Sequence, residues 1–405
     1  MSTINAFYRS TAVLLAVVLC ALPLPTRAGS GGQSSAEDID PVGLTALYSL
    51  DFDVAEERFR IWTERNPTNP MAWNMLASSI WLRVVYEQEK LNLETFDGSK
   101  LGGEDSEDAI SPEREAEFRA TLDRAKSAAQ AIVDEDPDDI DALYALGVAH
   151  GTTAAFEALV KRSLRAANGE AKKAKDLHLR VLELDASYSD AHVSIGTYDY
   201  TVGALPFAIK LLIAIVGIRG DKDGGLERLE IAAGHGRNEG VNAKMVLVVA
   251  YNREKEYDKS LGILLDLHAQ YPRNFLIEVS IGSVYQRMED WDNAIRTYRS
   301  VLEKARSGRD GYDRLEPEPV LFRVGEAYMH AGRYEDGRRT FLELVAIPGV
   351  EDELESRTRL WLGKIFDSEG RRADALEQYD RILELDAPED IANEATRYRR
   401  RPYSG

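Results

Sequence analysis

Cysteine is almost missing from this chain of 405 residues; the single one is Cys20. It lies in an apolar run near the start, so the rest of the chain has no disulfide, thiol nucleophile or thiolate metal site. Lipid attachment at Cys20 would require a small residue before it, and Leu19 stands there. The six histidines, His150, His178, His192, His235, His268 and His330, include no pair spaced with a carboxylate as metal ligands. No GxxxxGK[ST] phosphate loop occurs, and Ser111 has no nucleophile-elbow context. No apolar stretch reaches the roughly 20 residues that a membrane span requires. Positive charge is outnumbered, 50 Lys and Arg against 69 Asp and Glu, for a net charge of −19. Such a chain repels phosphate backbones, so nucleic acid is not an expected partner. No catalytic residue, cofactor or metal is expected.

What is present begins with a targeting pattern. Arg9 precedes the apolar run Thr11 to Pro25, and Thr26-Arg27-Ala28 follows. A basic start, a short apolar centre and a small residue before the cut describe a secretory signal peptide, residues 1–28, with cleavage after Ala28. An uncleaved N-terminal membrane anchor is the alternative. Removing residues 1–28 takes away Arg9 and Arg27 and no acid, leaving −21. The expected location is periplasmic or extracellular. Residues 29–40 (GSGGQSSAEDID) read as a flexible linker.

Beyond the linker the chain repeats itself. From Gly282, Tyr285, Ala294 and Tyr298 follow at offsets three, twelve and sixteen. From Gly363, Phe366, Ala375 and Tyr379 follow at the same offsets, and from Gly325 so do Tyr328, Gly337 and Phe341. Arg180–Ala186 and Arg381–Ala387 differ only by Val for Ile, and each begins six residues after an alanine, Ala174 or Ala375. The pattern describes paired antiparallel helices. Small residues sit where two backbones approach, aromatics fill the wedge between pairs, and Pro or a small residue stops the second helix.

This arrangement resembles the tetratricopeptide repeat family, whose period is about 34 residues. Eight units can be placed. Gly43, Ala55, Phe59 and Pro67 mark the first; Trp73, Leu76, Ala77, Ala125 and Pro137 the second. Leu146, Gly147, Ala174 and Ala186 mark the third; Gly196, Gly225, Leu229 and Ala232 the fourth; Tyr251, Ser260, Leu264 and Pro272 the fifth. The last three begin near Phe275, Glu318 and Ser356, with residues 389–398 as a capping helix. The expected fold is an all-α superhelical solenoid of about eight helix pairs over residues 41–399, with a basic tail at 400–405. His178 takes the aromatic slot of its unit. Unit two carries an insertion whose part 94–109 reads as a mobile acidic loop, ended by a helix start at Ser111-Pro112-Glu113. Units three and four are longer than the period.

One segment breaks the pattern. Residues 204–218 are apolar except for Pro206, Lys210 and Gly217. Apolar residues lie all round this helix, which favours a buried helix; a groove for a lipid or apolar peptide and contact with a membrane surface are the alternatives. Gly220–Gly225 (GDKDGG) is no calcium loop, because the twelfth residue from Asp221 is Ala232 rather than a bidentate Glu. It reads as a turn before a helix beginning at Leu226. Tyr198-Asp-Tyr200, Leu205-Pro206, Gly220-Asp-Lys222 and Gly225-Leu226 resemble the central block of the tetratricopeptide repeat protein 39 group. That group includes the mitochondrial outer-membrane protein required for inclusion-body clearance. The signal peptide departs from those intracellular relatives, and the resemblance transfers no catalytic residue.

In the repeat family the first helix of each pair lines the inner groove. Carried onto this chain, the groove residues are Tyr144, Val148, Val193, Thr197, Tyr200, Met245, Val249, Asn252, Arg253, Arg287 and Arg323. The list runs from apolar and aromatic to basic, which suits an extended ligand with one apolar and one acidic end. The expected function is a non-catalytic scaffold of the cell envelope that binds a peptide or protein. A carrier or sensor of an apolar ligand or lipid centred on 204–218 is the alternative.

Overall fold

The computed structural model describes residues 40–88, 110–215, 217–236 and 240–404. Of these, 78% are helical and none form strands. The signal segment, nearly all of the linker and the 94–109 loop lie outside the described residues.

Residues 40–272 form one compact unit. Its helices are α1 (Pro41–Tyr48), α2 (Phe52–Arg65), α3 (Pro70–Glu87), α4 (Pro112–Glu135), α5 (Ile140–Leu159), α6 (Leu164–Leu184), α7 (His192–Gly203), α8 (Phe207–Ala214), α9 (Lys222–His235), α10 (Gly240–Arg253) and α11 (Tyr257–Gln270). They pair as α1/α2, α3/α4, α5/α6, α7/α9 and α10/α11, with α8 carried between the two helices of the fourth pair. Residues 273–404 form the second unit: α12 (Phe275–Arg287), α13 (Trp291–Arg306), α14 (Pro317–His330), α15 (Tyr334–Val345), α16 (Asp352–Ser368), α17 (Arg372–Ile382) and the cap α18 (Glu389–Arg400). That makes the eight expected pairs, and the capping helix is two residues longer than the sequence suggests.

Local chemistry sets the helix starts. Asp40, Asn69, Ser111, Asp139, Asn274 and Asp290 each accept a bond from a free backbone N–H in the first turn. Pro41, Pro70 and Pro112 follow three of these caps at the position where no N–H is needed. Asp40 therefore belongs to the first helix as well as ending the linker. Asp221 also caps, accepting from the Gly224 N–H at 3.1 Å, so α9 begins at Lys222 and not at Leu226.

The hairpin turns share one device. Leu50, Lys255, Glu289, Gly332 and Gly370 all have φ between 59° and 73°, each two residues before the second helix of its pair. A left-handed residue reverses the chain there within a few residues; glycine takes that conformation freely and the other three do so at a cost.

The small-against-aromatic register holds each pair together. A Cβ added to Gly282 would lie 2.4 Å from the Tyr298 ring, and one on Gly325 or Gly363 would strike Phe341 or Tyr379 in the same way. In the first compact unit the same meeting joins Gly43 to Phe59 in the first pair and Gly147 to His178 in the third. The small-residue slots Ala55, Ala125, Ala232, Ala294 and Ala375 have no exposed surface.

Within the first unit the helices differ by position in the pair. The first helices α3, α5, α7 and α10 are buried on nearly every side; in α5, fifteen residues from Ala142 to Leu159 are buried. The second helices α6, α9 and α11 bury one stripe. The first pair also meets the fifth. Tyr48 Oη donates to Asn242 Oδ1 at 3.1 Å, and its ring lies 5.1 Å from that of Tyr271. The inner helices of this unit therefore pack on one another.

Candidate binding surface

That packing decides the fate of the expected groove. Tyr144, Val148, Val193, Thr197, Tyr200, Val249 and Asn252 are buried, none exposing more than 9% of its surface. Tyr144 stacks on His178 with ring centroids 4.8 Å apart. Tyr200 Oη donates to the Ala250 carbonyl at 3.4 Å, and burial raises its phenol well above the ordinary range. Asn252 donates to the Val248 carbonyl and to Ser260 Oγ. These seven side chains are core, correcting the expectation that they face a ligand. Helix α5 (IDALYALGVAHGTTAAFEAL) has almost no polar face, and that pattern signals a helix with no open side. Met245, Arg287 and Arg323 are half-buried, and both arginines have partners inside the protein. Arg253 is exposed and caps the end of α7, donating to the Ala204 carbonyl at 3.1 Å.

The apolar segment is also corrected. Helix α8 has no buried residue, and Phe207, Leu211, Leu212 and Ile215 are 78%, 60%, 66% and 80% exposed. These values exclude a core helix, and a groove would shield the side chains it binds. Among the described residues no helix is long and apolar enough to cross a membrane.

Buried polar groups are structural. His178 is fully enclosed; its Nε2–H donates to the Tyr144 carbonyl at 3.1 Å, which leaves Nδ1 to accept from Ser194 Oγ. Burial pushes its pKa down to about 4. Glu278 on α12 accepts from Ser300 Oγ at 2.9 Å, from Lys304 Nζ at 2.7 Å and from the Tyr312 hydroxyl, tying α12 to α13. Among the described residues no group of three or more His, Cys, Asp or Glu is placed to hold a metal ion.

The accessible site is a cleft in the second unit that the sequence reading did not find. It measures about 1100 Å³ and lies between α13 and α15, over α14. Its floor is Ile295, Leu302, Leu321, Val324 and Tyr328, all buried. Its rim carries five arginines, Arg296, Arg299, Arg306, Arg333 and Arg339, against Asp292, Glu303 and Glu343. Arg306 pairs with Glu343, while Arg333 and Arg339 share Asp336. Among the described residues Arg296 and Arg299 make no ion pair within 4.0 Å, although Asp292 and Glu303 stand one turn away on α13. Arg296 donates to Asn293 Oδ1 and Arg299 to Tyr328 Oη at 3.4 Å. The accessible part of the cleft is therefore its guanidinium-rich rim, since the side chains beneath it are almost wholly covered. The signal was in Trp291–Arg306, where Arg296 and Arg299 stand three apart on the polar face.

Residues 279–312, which span most of α12, all of α13 and part of the cleft wall, match the Tetratricopeptide repeat family model. That stretch is a tetratricopeptide repeat, and the described residues form an all-α array of helix pairs. No curated protein matches the chain. Its fold is similar to that of the human IFIT1 dimer with m7Gppp-AAAA, at 14% identity and TM-score 0.41, over 97% of this chain and 87% of that one. It is similar to yeast Tom70 at 10% identity and TM-score 0.35, over 88% and 86% of the two chains. MamA AMB-1 aligns at 20% identity and TM-score 0.31, over 42% of this chain and 87% of that one. At such scores these likenesses carry no argument about ligands. None of the comparisons supports the narrower resemblance of the central block.

Proposed function

We propose that this protein is a non-catalytic interaction scaffold, and that it binds an extended, acidic peptide segment of a partner protein in the cleft over α14. The observation that carries this reading is the cluster of five arginines at the cleft rim, of which Arg296 and Arg299 make no ion pair among the described residues. On this reading the acidic end expected of the ligand meets the cleft over α14 and not the expected groove. A peptide fits better than nucleic acid, because the chain as a whole carries a net charge of −19. The reading includes export, supported by Arg9, the apolar run Thr11–Pro25 and Ala28. A mature N-terminus at Gly29 is its check.

The binding test is fluorescence anisotropy with labelled peptides of alternating Glu and Leu. Wild type binds them, Gln-for-Glu peptides bind weakly, and Arg296→Glu/Arg299→Glu loses at least tenfold in affinity, on the scale of one charge-assisted hydrogen bond. Equal affinity for the double variant and wild type would remove the cleft from the account.

A further inference from the structure

We infer that residues 204–219 are a membrane-surface anchor: helix α8 seats its exposed apolar face in the headgroup region of an anionic lipid bilayer. The segment is an excursion between the two helices of the fourth pair, and it leaves and returns at one place. A Cβ on Gly220 would stand 2.5 Å from the Gly203 backbone nitrogen, and one on Gly203 would stand 2.3 Å from that of Lys222. Only two glycines allow the ends to meet so closely, as at the neck of a compact surface loop.

The base of the excursion is fixed. Leu205, Ile213 and Ile218 pack on Ala154, Ala171, Tyr198 and Val202. Lys210 Nζ donates to the Gly203 carbonyl at 3.0 Å, and Arg253 to the Ala204 carbonyl. With the inward side so held, the outward side cannot fold under. Phe207, Leu211 and Ile215 recur every fourth residue, with Leu212 beside them, and form one stripe along two turns. These four are among ten large apolar side chains exposed in the described residues, and they fall within nine consecutive positions. A cluster of that kind marks a contact surface.

Charge selects the occupant. Residues 204–219 contain Lys210 and Arg219 and no acid, within a chain of net charge −19. In the stretch 161–175, whose Ala171 packs beneath the excursion, Lys161, Lys172, Lys173 and Lys175 are paired with Glu115, Asp176, Glu170 and Asp199, so the attraction falls to Lys210 and Arg219 at the tip. Anionic headgroups attract this corner and repel the acidic remainder, which orients the protein on the surface. A bilayer needs no pocket, so a convex tip of two turns can insert its side chains to the acyl boundary while the cations stay among the headgroups.

The test is flotation of the full chain with vesicles of phosphatidylcholine alone or mixed with phosphatidylglycerol. Wild type floats with the mixed vesicles and far less with phosphatidylcholine. Leu211→Ser/Ile215→Ser, at exposed positions, lowers the partition coefficient on the order of tenfold or more. Arg219→Gln lowers it about fivefold, on mixed vesicles only. The apolar run at 11–25 is present in every variant and cannot produce these differences. An environment-sensitive dye on Ala208→Cys in a Cys20→Ser chain reports insertion directly by a blue shift on mixed vesicles. Unchanged flotation of the double Ser variant, or no dye shift, overturns the inference. So does light scattering that shows the Ser variant losing self-association while it floats as before.

Discussion

Replacing Gly282 by Ala puts the repeat packing to a quantitative test. Alanine in a helix interior ordinarily gains about 0.5–1 kcal/mol over glycine, from the smaller entropy of the unfolded chain. Here the new methyl would sit 2.4, 2.7 and 2.9 Å from three atoms of the Tyr298 ring. That ring has no exposed surface, and its hydroxyl is held at 3.2 Å from Ser283 Oγ and 3.1 Å from Gln286 Oε1. The ring cannot withdraw without breaking these bonds, so α12 and α13 must separate. Overpacking of this kind costs about 1–3 kcal/mol, which exceeds the propensity gain. Gly262→Ala on α11 is the matched control, since a Cβ there meets nothing within 4 Å. Urea unfolding followed by circular dichroism should show Gly282→Ala destabilised and Gly262→Ala slightly stabilised. Gly282→Ala/Tyr298→Leu, which shortens the opposing side chain, should recover part of the loss. If Gly282→Ala is as stable as wild type, the register that defines every pair is wrong.

Other perturbations probe single features. His178 titrates at about 4 in the fold against 6.5 when unperturbed, so the unfolded state binds the extra proton between these values. Its contribution is complete above pH 6.5 and is lost as pH falls toward 4, a gap of about 3 kcal/mol, and His178→Phe should flatten that part of the stability–pH curve. Glu289→Gly, at φ 59°, should raise unfolding stability by about 0.5–1 kcal/mol; no gain would show that the left-handed turn costs nothing.

The fold was legible because packing between paired helices fixes residue types at fixed offsets. Gly282 with Tyr298, Gly325 with Phe341 and Gly363 with Tyr379 stand sixteen apart in the sequence and in contact in the structure. His178 could be assigned to the aromatic slot for the same reason. The left-handed turns were not legible at Leu50, Lys255 and Glu289, since none of these residues advertises a positive φ. The inner groove failed because the family rule for inward-facing residues presumes an open superhelix, whereas α5 and α7 are buried on nearly every side. Helix α8 misled through composition: an all-round apolar segment reads as core, and only its short tether at Gly203 and Gly220 keeps it outside. The arginine cleft was not legible because its members come from α13, α14 and α15, whereas the family rule for groove residues concerns first helices.

The measurement that bears most directly on the scaffold reading is a charge swap at the cleft. Arg296→Glu/Arg299→Glu should lose the Glu–Leu peptide and gain affinity for the same peptide with Lys in place of Glu, because the swap restores opposite charge across the contact and leaves the rest of the cleft unchanged. Recovery to within about tenfold of the wild-type affinity is the predicted result. A variant that binds neither peptide, with its helical content and unfolding midpoint intact, would contradict recognition of an acidic segment by these two arginines.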